Sequence, residues 1–417
     1  MPLLRSWLGE MLTTSFPATR MAFAYGSGVF SQQTSQQRRR KYGVDEAPPM
    51  IDLVLAVDDP IQWHKENIEN NRHHYSMAAY GGAPFVSRLQ DTAARVWYNA
   101  LVPIPAPWGD GNQLMKYGVI SSQALKKDLK DWSSFYISGR MQKPVAWIDG
   151  YEMQSDFADF DRMNGSNLDT NNRDYDLAQA GEMNLRGAVA AALLLLPNNF
   201  TEGQLYETIT GLSYAGDFRM AIAENPDKVM NIVHSKGSPI RFRKLYSNIL
   251  KEMETFNILT CLDGTKGTHD STNPNDVKEQ DAHVLGVRYE QDGSPIGKMN
   301  VLRCIPMDCQ QRMSVHLNAQ YGDVSLGPLP DVDVRVKYYR STENEIGALY
   351  TKLQEQLEEY GENDTLKTKE MTAKAMQLAL STIVSQTAMQ QTMKGLVSAG
   401  VNKSATYAMN KIQKRLK

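Results

Sequence analysis

The run Ala22-Phe23-Ala24-Tyr25-Gly26-Ser27-Gly28-Val29-Phe30 constrains this chain more than any other stretch, because a short apolar strand passes straight into a Gly-Ser turn. A second apolar strand follows, Met50 to Val57, with one acidic side chain near its start, Asp52. Glycine in such a turn lets backbone N–H groups approach an anion with no Cβ in the way, and Ser27 adds a hydroxyl and a helix N-cap. A carboxylate on the neighbouring strand can hold Mg²⁺ against the same phosphates. Taken together, these are the parts of a nucleotidyltransferase site. The Gly-Ser pair alone would be weak evidence, since most such pairs are only turns.

Composition sets wider bounds. With 417 residues, 41% apolar and 22% charged, the chain is globular and long enough for two or three domains. A net charge of −2 argues against a general nucleic-acid binder, whose footprint is strongly basic, so no nucleic-acid partner is expected. Cys261, Cys304 and Cys309 are odd in number and lack zinc-ligand spacing, which points to a reducing compartment. No apolar run reaches the ~18 residues of a membrane-spanning helix; the longest, Ala188 to Leu196, reads as a buried core helix. Arg5 and Arg20 with only Glu10 between them give a weak transit-peptide signal, leaving either a short import signal or a truncated start as the expectation.

Strand and helix signals alternate at first. Met21–Tyr25, Met50–Val57, Val96–Leu101 and Met115–Ser121 read as strands and Lys143–Ile148 as an edge, which gives an α+β fold with a mixed-sheet, nucleotidyltransferase-like domain over 11–180. The linker from Ser31 to Pro49 carries the basic run Arg38-Arg39-Arg40-Lys41, a solvated loop or a phosphate contact. A helical domain over 181–258 follows, with Thr201-Glu202-Gly203-Gln204 as a helix start. Gly, Pro, Asp and Asn punctuate 260–345, so 259–369 reads as a loop-rich insertion and connecting helix. Between Met371 and Lys417 the chain is basic with no carboxylate, and Val401, Ala405, Met409, Ile412 and Leu416 form one apolar stripe. A segment over 370–417 is therefore expected to be a cationic amphipathic helix, lying on an anionic membrane surface or packed on the protein.

Several motifs recur in one order: Asp58-Asp59-Pro60-Ile61-Gln62-Trp63-His64, Asn67, His74-Tyr75-Ser76, Lys116-Tyr117-Gly118-Val119-Ile120-Ser121, Gly139-Arg140-Met141-Gln142-Lys143-Pro144-Val145, and Leu212-Ser213-Tyr214-Ala215-Gly216-Asp217-Phe218-Arg219-Met220. In these the chain closely resembles the mitochondrial translocator assembly and maintenance family, the mitochondrial phosphatidate cytidylyltransferases, over residues 11 to 255 and again near 390 to 417. The resemblance implies transfer of CMP from CTP to phosphatidic acid, giving CDP-diacylglycerol and pyrophosphate, on the matrix face of the mitochondrial inner membrane as a peripheral protein feeding cardiolipin synthesis. It also implies that the second domain is winged-helix-like and that Mg²⁺ is the cofactor. Two other readings share these features: a nucleotidyltransferase acting on RNA ends, and a non-catalytic inner-membrane assembly factor.

For that chemistry Asp52 is the expected metal ligand and a catalytic residue. A second carboxylate two positions on would face the same way, but position 54 is Val. At ~3.3 Å per residue Asp58 would sit ~20 Å away, and Asp59 is on the other pleat. Lys116 and Lys143 are the expected catalytic cations. Gly26, Ser27, Tyr117, His74, Arg140, Asp217 and Arg219 are the expected binding residues, with Asp217 and Arg219 forming either an opposite wall or a structural ion pair. His64 and His74 read as phosphate donors or structural residues rather than proton acceptors, because a phosphate monoester with a second pKa of ~6 needs no general base.

Overall fold

The computed structural model describes residues 2–30, 49–105, 112–153, 173–222, 226–263, 274–321 and 365–399. The basic run at 38–41 and the apolar stripe at 401–416 lie outside them.

Strands β1 (Met21–Tyr25), β2 (Ile51–Val57), β3 (Val96–Pro105), β4 (Asn112–Ser121) and β5 (Ala146–Trp147) form one mixed sheet in the order β3-β4-β2-β1-β5. β2 and β4 run parallel, while the other neighbours are antiparallel. All five lie where the apolar runs predict them. Tyr25 pairs with Asp52, and Asp52 with Lys116, so these three side chains stand abreast on one face. Lys116 and Tyr117, being consecutive, point to opposite faces.

Each face has its own helical cover. On the Tyr117 face, α1 (Pro2–Ser15) lays Leu4, Leu8 and Leu12 against Leu53, Leu55 and Val119, with Trp63 of α2 (Pro60–Asn70) beside them. Helix α1 begins ahead of the expected domain start at 11, and its leucines at i, i+4 and i+8 explain why it docks. The 3₁₀ turns Arg72–His74 and Met77–Gly81 and α3 (Gly82–Gln90) continue this side over Trp97. On the Asp52 face, α4 (Ser122–Asp131), α5 (Ser138–Met141) and α6 (Arg173–Leu195) cover Val54, Ala56, Val96 and Ile120 through Leu125, Leu129, Ile137, Met141 and Leu177.

The second core forms around the run Ala188 to Leu196, as its unbroken apolarity requires: from Ala188 to Leu194 no side chain is more than 2% exposed. Helices α7 (Glu202–Leu212), α8 (Phe218–Ile222), α9 (Lys228–Val233) and α10 (Ser238–Thr255) follow. Thr201 and Gln204 close a reciprocal capping box at the start of α7, as the sequence predicts. Residues 260–321 depart from the loop-rich expectation. They contain β7 (Leu259–Cys261), α11 (Pro274–Gly286), β8 (Arg288–Gln291), α12 (Pro295–Arg303) and α13 (Met307–Tyr321). Strand β8 pairs with both β7 and β6 (Asn199–Thr201), so a small antiparallel sheet in the order β6-β8-β7 joins the segments on either side of position 258.

Helix α14 (Thr365–Ala399) spans both regions. Met371, Ala375, Met376, Ala379, Leu380 and Ile383 are buried in the second core, so this part of the basic C-terminal segment is core rather than membrane-facing. Farther on, Gln391 donates to the Val96 carbonyl on the edge strand β3 (3.2 Å).

Candidate active site

Past β1 the chain turns at Gly26, where φ is +79° and a β-carbon would be strained. The Val29 and Phe30 amides donate back to the Gly26 carbonyl, closing a short helical turn. Gly28 lies against β2 so tightly that a β-carbon would come within 2.3 Å of the Met50 carbonyl oxygen. The Gly26–Ser27 turn, exposed to solvent, is thereby fixed beside partly exposed Asp52: a β-carbon on Gly26 would stand 3.5 Å from Asp52 Oδ2. Asp58 pairs with Arg20 (3.0 Å) and Asp59 caps α2 by accepting from the Gln62 amide (3.0 Å). Neither serves Asp52, and among the described residues no three Asp, Glu, His or Cys side chains gather as a cation site.

Cations converge on this face from both regions. Lys116 Nζ lies 4.3 Å over the Tyr98 ring. Arg140, on α5, stacks against Tyr136 (4.1 Å) and Tyr25 (5.1 Å), and its Nη1 donates to the Tyr136 carbonyl (2.7 Å). Lys143 donates to Ser213 Oγ (2.7 Å), and Lys143 and Lys228 both approach the Tyr214 ring, at 5.0 and 4.9 Å. Arg219 makes a planar fork on buried Asp217, Nε to Oδ1 at 2.9 Å and Nη2 to Oδ2 at 2.7 Å. Asp217 and Arg219 thus form an ion pair, and the Arg219 charge reaches Tyr136.

The electrostatics confirm that these groups share one space. Burial would raise the Tyr136 phenol, but Arg140, Lys116 and Arg219 outweigh it and bring it down to about 7. Burial, then the like charges of Arg140 and Lys228, hold Lys143 well below the usual lysine range. Such a concentration of positive charge is unfavourable until an anion enters.

Asp128 builds the loop that presents Arg140. Its buried carboxylate accepts from the amides of Ser134 (2.8 Å), Phe135 (2.8 Å), Ile137 (3.0 Å) and Ser138 (2.9 Å) and from Ser134 Oγ (2.7 Å). Trp132 and Phe135 are held there at positive φ, 58° and 53°. Neither Asp128 nor Tyr136 stands out in the sequence. The only signal for Tyr136 is its place four residues before Arg140.

Tyr117 and His74 do not join this site. Pointing to the other face, the Tyr117 hydroxyl accepts from Asn67 Nδ2 (2.9 Å) and Asn99 Nδ2 (2.7 Å) and lies 3.0 Å from His74 Nδ1. Rather than standing beside Asp52 as expected, Tyr117 is turned by strand alternation, and His74 by its place on the 3₁₀ turn Arg72–His74, into a polar network beneath α2. His64 belongs to the same network, between the Tyr75 hydroxyl (2.8 Å) and Gln90 Oε1 (2.7 Å), and burial lowers its pKa to about 4. It is structural.

The family model described as "Phosphatidate cytidylyltransferase, mitochondrial" matches residues 8–171 and 166–414. This chain belongs to that family. Relatives bearing the same name include one from Xenopus laevis, 33% identical over 403 residues, covering 95% of this chain and 90% of the relative. Similar proteins of that name occur in Danio rerio, 32% identical over 396 residues (94% and 90%), and in Dictyostelium discoideum, 30% over 426 residues (96% and 83%). The match runs through 260–390 as well.

Proposed function

We propose that this chain transfers CMP from CTP to phosphatidic acid, yielding CDP-diacylglycerol and pyrophosphate, in the cleft on the Asp52 face. The observation that carries the reading is the convergence of Lys116, Arg140, Lys143, Arg219 and Lys228 beside a glycine turn and a strand carboxylate. Two substrates meet there, a triphosphate and a phosphate monoester, and both are anionic. A neutral or acidic cleft could not hold them together.

In the reaction a phosphatidate oxygen bonds to the α-phosphorus of CTP, and the bond from that phosphorus to the bridging oxygen of pyrophosphate breaks. Transfers of this kind depend on alignment and charge neutralisation. The Gly26–Ser27 turn offers amides and a hydroxyl to the triphosphate. Lys116 and Arg140 neutralise charge on the sheet side, and Lys143 and Arg219 do so from the opposite wall. Tyr136 and Tyr25 keep the Arg140 guanidinium in place by stacking on it. Lys143, whose charge burial and the neighbouring Arg140 and Lys228 disfavour, gains from the arrival of an anion.

Asp52 would hold Mg²⁺, for which one hard carboxylate oxygen facing the phosphate turn is a fitting donor set, with substrate oxygens and water completing it. When bound, the ion withdraws charge from the phosphates. We read the β1–β5 sheet with its turn as nucleotidyltransferase-like and the β6-β8-β7 region as winged-helix-like. The protein is placed peripherally on the matrix side of the mitochondrial inner membrane, supplying cardiolipin synthesis and binding no nucleic acid. Its residues 401–417 are assigned to the anionic membrane surface.

The test is to incubate purified protein with labelled CTP, Mg²⁺ and phosphatidate in detergent micelles and extract the lipid. A cytidylyl lipid is expected. Its absence from folded protein would turn the reading toward a non-catalytic assembly factor.

A further inference from the structure

From Asn70 to Gln90 the chain contains Arg72, His73, His74 and Arg88 and no carboxylate. Within this stretch stand Met77 and Tyr80, 81% and 80% exposed, the highest exposures of any large apolar side chains among the described residues; Phe85 follows at 44%. Single exposed apolar residues are ordinary, but three within nine residues, in a stretch with no carboxylate, are not.

This element is not slack. Tyr75, Ala79 and Val86 pack beneath it on Trp97, and Ser76 caps the 3₁₀ turn by accepting from the Ala78 amide (3.2 Å). At the close of the turn the chain reverses at Gly82, with φ +76°. The Arg72 guanidinium lies 4.4 Å over the Tyr80 ring. Met77, Tyr80 and Phe85 are thus held outward by a rigid base.

The far end of α3 carries a second such surface. Lys394 of α14 donates to the Gln90 carbonyl (3.1 Å) and the Thr92 carbonyl (2.7 Å), tying α14 to the end of α3. One turn apart, just before that lysine, Met389 and Met393 are 56% and 61% exposed. Lys394 itself is buried and serves this tie, with Asp91 of the α3 end near it, so Met389 and Met393 are an apolar rather than a charged surface.

We infer that the Met77–Phe85 knuckle, with Met389 and Met393 beyond it, is a second membrane contact that seats this protein on an anionic bilayer, independently of residues 401–417. The charge pattern of the knuckle favours lipid as the occupant, since phosphatidate and other anionic headgroups complement Arg72 and Arg88, while the flanking acids Glu69 and Asp91 stand outside the stretch between them. Met, Tyr and Phe suit the level where headgroups meet acyl chains, and arginine beside tyrosine can reach the phosphates. The inference rests on the proposed lipid substrate.

Its test does not depend on turnover. Full-length Tyr80→Trp is mixed with phosphatidylcholine vesicles carrying phosphatidate and brominated acyl chains, and its tryptophan emission is compared with that of the parent protein, whose own tryptophans give the background. The added emission should shift to the blue and be quenched by the bromines. Phosphatidylcholine vesicles without phosphatidate should quench it less, and Arg72→Gln should reduce the difference. Met77→Ser combined with Tyr80→Ser, at positions too exposed to affect folding, should lower the vesicle-bound fraction about tenfold. An unshifted, unquenched Tyr80→Trp emission while the protein floats with the vesicles would overturn the inference. It would leave the proposed reaction standing, because the micelle assay reads that separately.

Discussion

The two faces of the five-stranded sheet use similar residues for opposite ends. On the Tyr117 face, tyrosine, histidine and asparagine form a buried network in which Asn67, Asn99 and His74 all meet the Tyr117 hydroxyl. On the Asp52 face, tyrosines, lysines and arginines leave charge in excess, and the phenol of Tyr136 is pulled down to about 7 by its neighbours. A buried hydrogen-bonded network of this kind specifies a fold. A concentration of like charge stores affinity for an anionic ligand, and that difference distinguishes the two faces among side chains one residue apart.

The comparison can be broken most severely at Asp52. Asp52→Asn keeps the size of the side chain but removes its charge, and turnover should fall about 10³-fold, equivalent to several kcal/mol of lost charge stabilisation, with an unchanged unfolding midpoint. Near-normal turnover would put the metal elsewhere. Asp128→Asn should cost about 2–4 kcal/mol of stability, because one amide side chain cannot accept every hydrogen bond the carboxylate does. It should also lower turnover per folded molecule by releasing Arg140. Denaturant unfolding and the micelle assay read the two effects apart.

The network face should respond to acid instead. His64 is neutral in the fold with a pKa of about 4, while the unfolded chain binds its proton near 6.5. The unfolded state therefore holds more protons between those values, and stability falls as pH drops from 6.5 toward 4, by up to about 3 kcal/mol. His64→Gln should flatten that part of the profile. On the Asp52 face the dependence runs through binding: burial and the like charges of Arg140 and Lys228 hold free Lys143 below the lysine range, and a bound triphosphate would favour its charged form. CTP affinity should weaken as pH rises, by at most about tenfold per unit, and titration calorimetry in buffers of different ionisation enthalpy should show proton uptake. Lys143→Met should abolish the uptake.

Much of this was legible from sequence. Apolar runs located all five strands of the large sheet, and the Gly-Ser turn and Asp52 lie together as expected. Alternation along β4 also held the answer for Tyr117, because no strand can present Lys116 and Tyr117 to one ligand. The Lys116–Ser121 motif therefore divides its side chains between the two faces of the sheet. The small sheet was not legible, since three- and four-residue strands give no periodic signal. Tyr136, Lys228 and Asp128 escaped because their roles arise from distant groups: a phenol becomes acidic only where Lys116, Arg140 and Arg219 converge on it.

The most direct measurement compares two adjacent substitutions, Lys116→Met and Tyr117→Phe, for label transfer from CTP to phosphatidate and for thermal midpoint. Lys116→Met should lower kcat/KM for CTP about 10²-fold or more and leave the midpoint unchanged. Tyr117→Phe should keep turnover within a few-fold while losing about 2–4 kcal/mol of stability, since Asn67, Asn99 and His74 would each lose a buried partner. The reverse outcome, an inactive but stable Tyr117→Phe beside an active Lys116→Met, would place the reaction on the other face of the sheet.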